Sequence, residues 1–242
     1  MQSPFFGEFM GTLVLILLGN GVVAGVLLKG SKSENAGWLV ITAGWAFAVF
    51  CGVMTAIACG SAGAHLNPAV TVAEAVRTGD ASAVGSFLAA QMLGAIAGAT
   101  LVWIFYLPHW ALTPDTGAKR GSFCTAPAVR HVPSNLFCEV LATMVLVLVI
   151  GAIGSRNLAA TGPAPGLAPY LVAIVVWSVG LSLGGTTGYG INPARDLGPR
   201  IAHAILPVAG KGDSDWGYAA VPVIGPLVGG VLAGLLIRVI GM

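Results

Sequence analysis

Residues 63–71 read Gly63-Ala64-His65-Leu66-Asn67-Pro68-Ala69-Val70-Thr71, and residues 190–200 read Gly190-Ile191-Asn192-Pro193-Ala194-Arg195-Asp196-Leu197-Gly198-Pro199-Arg200. Asn-Pro-Ala stands in both. A single copy has an ordinary explanation, because Asn caps helices well and Pro suits the first helical position. Here each copy opens an apolar segment, 67–77 and 192–205. Both segments are too short to cross a bilayer, which takes roughly 20 residues.

Around this pair lie six longer apolar stretches, at 4–28, 38–59, 84–107, 135–154, 169–187 and 218–240. Of the 242 residues, 56% are apolar and 8% are charged, and the mean hydropathy is +0.89. A soluble domain carries roughly 25% charged residues, so soluble, disordered and nucleic-acid-binding classes are excluded. Continuous rather than alternating apolar runs argue against a β-barrel. What remains is an all-α membrane protein embedded in lipid. The four cysteines, Cys51, Cys59, Cys124 and Cys138, form no CxxC pair. They read as small hydrophobes, and neither a metal nor a cofactor is expected.

The chain repeats itself. Phe6, Glu8, Thr12, Val14 and Leu15 recur 131 residues later as Phe137, Glu139, Thr143, Val145 and Leu146. Gly94 and Gly98 recur as Gly225 and Gly229 at the same offset, and the Asn-Pro-Ala copies are 125 apart. This divides a single domain, 1–242, into a first repeat (1–107), a polar linking loop (108–134) and a second repeat (135–242). Each repeat has three spans, an odd number, so the second enters the membrane from the opposite side. Inverted repeats of this kind build channels and transporters, with the site at the repeat interface.

A helix that starts at membrane depth leaves backbone groups unpaired, so such chain must be buried in protein or line a wet path. Two half-helices from opposite faces solve this by abutting at their N-termini. Their positive dipole ends then converge, and Asn67 and Asn192 offer amide N–H groups to the lumen. The glycine-rich approaches, with Gly63, Ala64 and His65 in one and Gly188 and Gly190 in the other, turn carbonyls toward a pore. Glu8 and Glu139 read either as proton-relay carboxylates or as structural acceptors for those loops; their symmetry favours the second. His65 reads as packed beside its turn.

These segments resemble the two signatures of the major intrinsic protein family, the aquaporins and glycerol facilitators, and the resemblance covers essentially the whole chain. It implies an aquaporin-like fold of six transmembrane helices plus two re-entrant half-helices. Asp196 directly after Asn-Pro-Ala-Arg resembles the glycerol-conducting branch, which implies a passive channel for glycerol and similar small uncharged solutes, with some water conductance. Water-selective, lactic-acid and, more remotely, ion-coupled transport readings are the alternatives. The resemblance also implies a selectivity filter of Arg195, Tyr189, Gly180 and one position on the second span. Trp45 fits that position if the following loop has a two-residue insertion, and Phe47 fits without one; Trp45 is preferred. Gly180 would widen the constriction. Asp196 would orient the half-helix start, the competing reading being a plain Arg195–Asp196 pair.

A homotetramer in the cell membrane, plasma or bacterial inner, with both termini cytoplasmic, is implied as well. Charge bias opposes that orientation. It would leave Arg77, Arg156 and Arg238 inside against Lys29, Lys32, Lys119, Arg120, Arg130 and Lys211 outside, whereas positive residues normally gather inside.

Overall fold

The computed structural model describes residues 2–159, 164 and 166–242. In chain order the helices are α1 (Pro4–Leu27), α2 (Trp38–Ala58), α3 (Pro68–Thr78), α4 (Val84–Phe105), α5 (Leu107–Leu112), α6 (Thr116–Gly121), α7 (Val132–Gly154), α8 (Arg156–Ala159), α9 (Ala168–Leu183), α10 (Pro193–Ile205) and α11 (Val221–Ile240). No strand occurs among the described residues. Helices α1, α2, α4, α7 and α11 are long and apolar enough to cross a bilayer, with mean hydropathies between 1.8 and 2.6.

The remaining span is shorter than the sequence suggests. α9 has 16 residues and stops at Leu183, where the apolar run continues to 187. A Cβ on Gly184 would lie 2.6 Å from Tyr189 Cδ1 and 2.9 Å from Trp38 Cζ2. The Tyr189 ring folds back over the helix end there, and the chain turns to let it in.

The linking segment 108–134 is not a plain loop, because it contains α5 and α6. Pro108 sits in the first turn of α5. Asp115 Oδ1 caps α6, accepting from Gly117 N at 2.7 Å and Ala118 N at 3.2 Å. Trp110 and Phe123 from this segment are fully buried, and Asn20 Nδ2 on α1 donates to Phe123 O at 3.0 Å. α7 also begins at Val132 rather than 135, since Pro133 suits a first helical turn.

Packing crosses between the halves. α1 lies against α2 and α4, and α7 lies against α11 and α9; half-helix α3 packs on α11, and half-helix α10 on α4. Small residues set the spacing. A Cβ on Gly98 would meet Leu13 O at 2.6 Å, and one on Gly225 would meet Glu139 Cβ at 2.6 Å. These backbones touch, as small-xxx-small faces allow in membranes where apolar burial alone drives no association.

Candidate functional site: a polar junction in an apolar cavity

The two short helices start the same way. Asn67 Oδ1 accepts from Ala69 N at 2.8 Å, and Asn192 Oδ1 accepts from Ala194 N at 3.0 Å and Arg195 N at 3.2 Å. Pro68 and Pro193 occupy the first helical positions. Each amide then reaches across. Asn67 Nδ2 donates to Ile191 O and Asn192 Nδ2 donates to Leu66 O, both at 2.8 Å. The two N-termini therefore meet, and each asparagine keeps one further N–H.

The chains leading in are held in an alternating left-handed conformation, with φ of 42° at Ala64, 53° at Leu66, 38° at Tyr189 and 40° at Ile191. Such non-glycine residues cost about 1–3 kcal/mol each. Two buried carboxylates hold the shape. Glu8 accepts from Ser61 Oγ (2.6 Å), His65 N (2.9 Å), Leu66 N (2.8 Å) and Gln91 Nε2 (2.8 Å). Glu139 accepts from Thr187 Oγ1 (2.6 Å), Gly190 N (2.9 Å) and Ile191 N (2.8 Å). Apart from Gln91 on α4, every donor shown belongs to a loop, so each carboxylate serves as an acceptor for its own approach chain.

A cavity of about 250 Å³ runs past this junction. One wall is a stripe of α2 in which Trp45, Val49, Val53 and Ile57 recur every fourth residue, some 18 Å of helix by rise. Gly63, Ala64, His65, Asn67, Gly190, Asn192, Tyr189 and Arg195 complete the polar and loop-derived part. At one end the Arg195 guanidinium lies 4.2 Å from the Trp45 ring centroid, a cation–π contact. Among the described residues it forms no ion pair. Space for the Trp45 ring comes from Gly19, where a Cβ would sit 2.6 Å from Trp45 Cη2.

Three expected positions fall elsewhere. Trp45 is 3% exposed beside Arg195, whereas Phe47 is 54% exposed and packs on Trp177 at 6.4 Å, off the cavity wall. Two residues of helix rotate a side chain by about 200°, so only one of the pair can face inward. Gly180 does not open the constriction. A Cβ there would lie 3.0 Å from Tyr189 Cζ, so its missing side chain seats the tyrosine ring, which also meets Trp38 edge-on at 5.7 Å. Gly188 is likewise off the wall: it forms a turn at φ 79° under Thr125. His65 lines the cavity but is also tied down, with Nδ1 3.1 Å from Thr71 Oγ1 and its ring against Phe87.

Asp196 does not pair with Arg195. Arg200 Nε donates to Asp196 Oδ1 at 2.8 Å and Arg200 Nη2 to Asp196 Oδ2 at 3.0 Å, with both side chains fully buried. Arg200 also donates to Ser214 O, Asp215 O and Thr125 O at 2.6, 3.0 and 2.9 Å. Reading the sequence missed Arg200 and Thr125. The spacing of Asp196 and Arg200, four residues apart on one helix, was the available signal for the first; no local signal marks the second.

Five apolar helices long enough to cross a bilayer, the shorter apolar α9, two half-helices meeting tip to tip and a cavity along their junction define an integral membrane channel of aquaporin-like fold. A profile described as Major intrinsic protein matches residues 2–237, and the chain belongs to that family. It is 52% identical to a probable glycerol uptake facilitator protein of Thermotoga maritima, covering 97% of this chain and 98% of the relative. Glycerol uptake facilitator protein 3 of Lactiplantibacillus plantarum is also 52% identical, over 99% of both chains. A D/L-lactic acid transporter of the same organism is 38% identical, over 96% of this chain and 95% of the relative. The X-ray structure of the aquaglyceroporin from Plasmodium falciparum superposes with a TM-score of 0.82 at 28% identity, covering 97% of this chain and 94% of that one. Members of this family are channels rather than enzymes.

Proposed function

We propose that the protein is a passive channel for glycerol and similar small uncharged solutes, with some water conductance, and that it excludes ions and protons. The observation that carries this reading is the composition of the cavity. Trp45, Tyr189 and the valine stripe of α2 give a face for a carbon backbone. Asn67, Asn192 and Arg195 give donors, and the Glu8- and Glu139-held loops give carbonyl acceptors. A polyol exchanges its hydration for these fixed groups at little net gain, so binding stays weak and flux high. The Arg195 charge and the two converging helix dipoles oppose cations and protons at the junction. The higher identity to glycerol facilitators than to the lactic acid transporter favours a polyol over a hydroxy acid.

We further propose a homotetramer in the cell membrane, with both termini cytoplasmic. The charge bias opposes this orientation and pairing does not remove it: five of the six cations on the other side have protein partners, but so does Arg77 on the inner side, which pairs with Glu74 at 2.6 Å. Lys29 pairs with Glu34 at 2.6 Å, Arg120 with Asp213 at 3.5 Å, and Arg130 with Asp215. Lys119 donates to Ala209 O at 2.5 Å and Gly210 O at 3.1 Å, and Lys211 to three carbonyls at the end of α10.

Stopped-flow light scattering on proteoliposomes tests the transport reading. Glycerol flux should exceed that of empty vesicles, rise linearly with the gradient and ignore proton or sodium gradients. Flux equal to empty vesicles, or saturable flux driven by an ion gradient, would overturn it.

A further inference from the structure

Thr125 belongs to the segment linking the two halves, far in sequence from both half-helices, yet it is tied to α10, the helix that carries Arg195. All three of its polar groups are held by α10. Its N–H and its hydroxyl both donate to Asp196 Oδ2, at 2.7 and 2.6 Å, and its carbonyl accepts from Arg200 Nη2 at 2.9 Å. Its side chain lies beside the turn before Tyr189, for a Cβ built on Gly188 would come into ordinary contact with Thr125 Cγ2 at 3.4 Å. The same strand of chain is pinned again where Ala128 N donates to Thr186 O at 3.0 Å.

The first half shows that this ionic grip is not needed to fix a half-helix. By the 125-residue offset, Asp196 corresponds to Thr71 and Arg200 to Ala75. Neutral Thr71 donates to Asn67 O at 3.1 Å and accepts from Gln91 Nε2 at 3.0 Å, and α3 stands without any buried ion pair. Burying a charged pair is expensive and brings little stability over apolar packing. What the second half has in addition is an aromatic ring to aim: Tyr189 stands where the first half has Ala64.

We propose that Thr125, gripped by Asp196 and Arg200, is a positioning residue. It fixes the Gly188–Tyr189 turn and so sets the width of the Arg195 end for the passing solute. This rests on the channel reading above. Thr125→Val keeps the branched shape and its methyl but removes the hydroxyl bond to Asp196, whereas Thr125→Ser keeps the hydroxyl.

The readout is the ratio of erythritol to glycerol permeability in proteoliposomes, which does not depend on how much protein folds. Thr125→Val should raise the ratio about fivefold, the scale set by one lost hydrogen bond, and Thr125→Ser should restore most of the wild-type value. Arg200→Lys keeps the charge beside Asp196 but lacks the fork that reaches Thr125 O and Ser214 O together. It carries the same expectation if Thr125→Val yields no folded protein. A wild-type channel that conducts glycerol, with a ratio unchanged in both variants and only thermal stability lowered, would overturn the positioning role alone. A wild type that conducts no glycerol would overturn the channel reading first.

Discussion

The two halves of the molecule build the same scaffold and decorate it differently. Both have a buried glutamate, a left-handed approach chain, an asparagine cap and a proline start. At the 125-residue offset, however, Ala64 faces Tyr189, His65 faces Gly190, Val70 faces Arg195 and Thr71 faces Asp196. At the 131-residue offset, Gln91 is replaced by Pro222, Val49 by Gly180 and Trp45 by Val176. Positions that agree hold the junction together. Positions that differ gather a cation and two aromatic rings at one end and leave the other end to Val53, Ile57, Ile150 and Val172. Symmetry marks what folds the pore, and departure from symmetry marks what selects.

The scaffold should break hardest. Glu8→Gln and Glu139→Gln each turn an amide toward loop N–H groups that need an acceptor. Each unsatisfied buried donor costs about 1–3 kcal/mol, so both variants should lose most folded protein, read as yield and thermal unfolding in detergent. Wild-type stability in either would break the claim of equivalent roles.

Next comes the selective end. Arg195→Val gives the second half the residue of the first. It should keep the fold, because Asn192 still caps α10 through Ala194 N. Proton leak through reconstituted vesicles should rise at least tenfold, about 1.4 kcal/mol of barrier. Vesicles as tight as those with wild-type protein would place the barrier elsewhere.

A smaller effect is expected where a glycine of one half is a valine in the other. Gly180→Val adds atoms within about 3 Å of Tyr189 Cζ. Overpacking of this kind costs about 1–3 kcal/mol and displaces the ring toward the cavity. Glycerol flux should fall more than water flux, and an equal fall in both would argue that Tyr189 does not gate the solute. Smallest of all, Phe47→Ala should leave the glycerol-to-water ratio unchanged, since that ring lies off the cavity.

The fold was legible because its signals are repeated and physical: long apolar runs, the 131-residue offset, and two caps opening segments too short to span. Much of the site was legible too, because Asn67, Asn192, Arg195, Glu8 and Glu139 sit inside or symmetrically around those signals. Other features left no local trace. The strained φ values fall on Ala64, Leu66, Tyr189 and Ile191, which carry side chains, and the carboxylates Glu8 and Glu139 bond to the approach chains there from far away in the sequence. Gly180 read as an opening because the sequence cannot show that a ring nine residues later fills the space. Thr125 lies in a segment that looked like a plain linker, and its role depends on side chains more than seventy residues away.

The central claim is that solute travels through the cavity beside the meeting half-helices. Single cysteines placed at Val49, on the cavity stripe, and at Phe47, on the outer face of the same helix, test it in a background lacking Cys51, Cys59, Cys124 and Cys138. After treatment with a small thiol reagent, with labelling checked by mass spectrometry, glycerol and water flux should collapse for the cysteine at 49 and stay intact for the cysteine at 47. Full flux through a channel labelled at 49 would contradict the account.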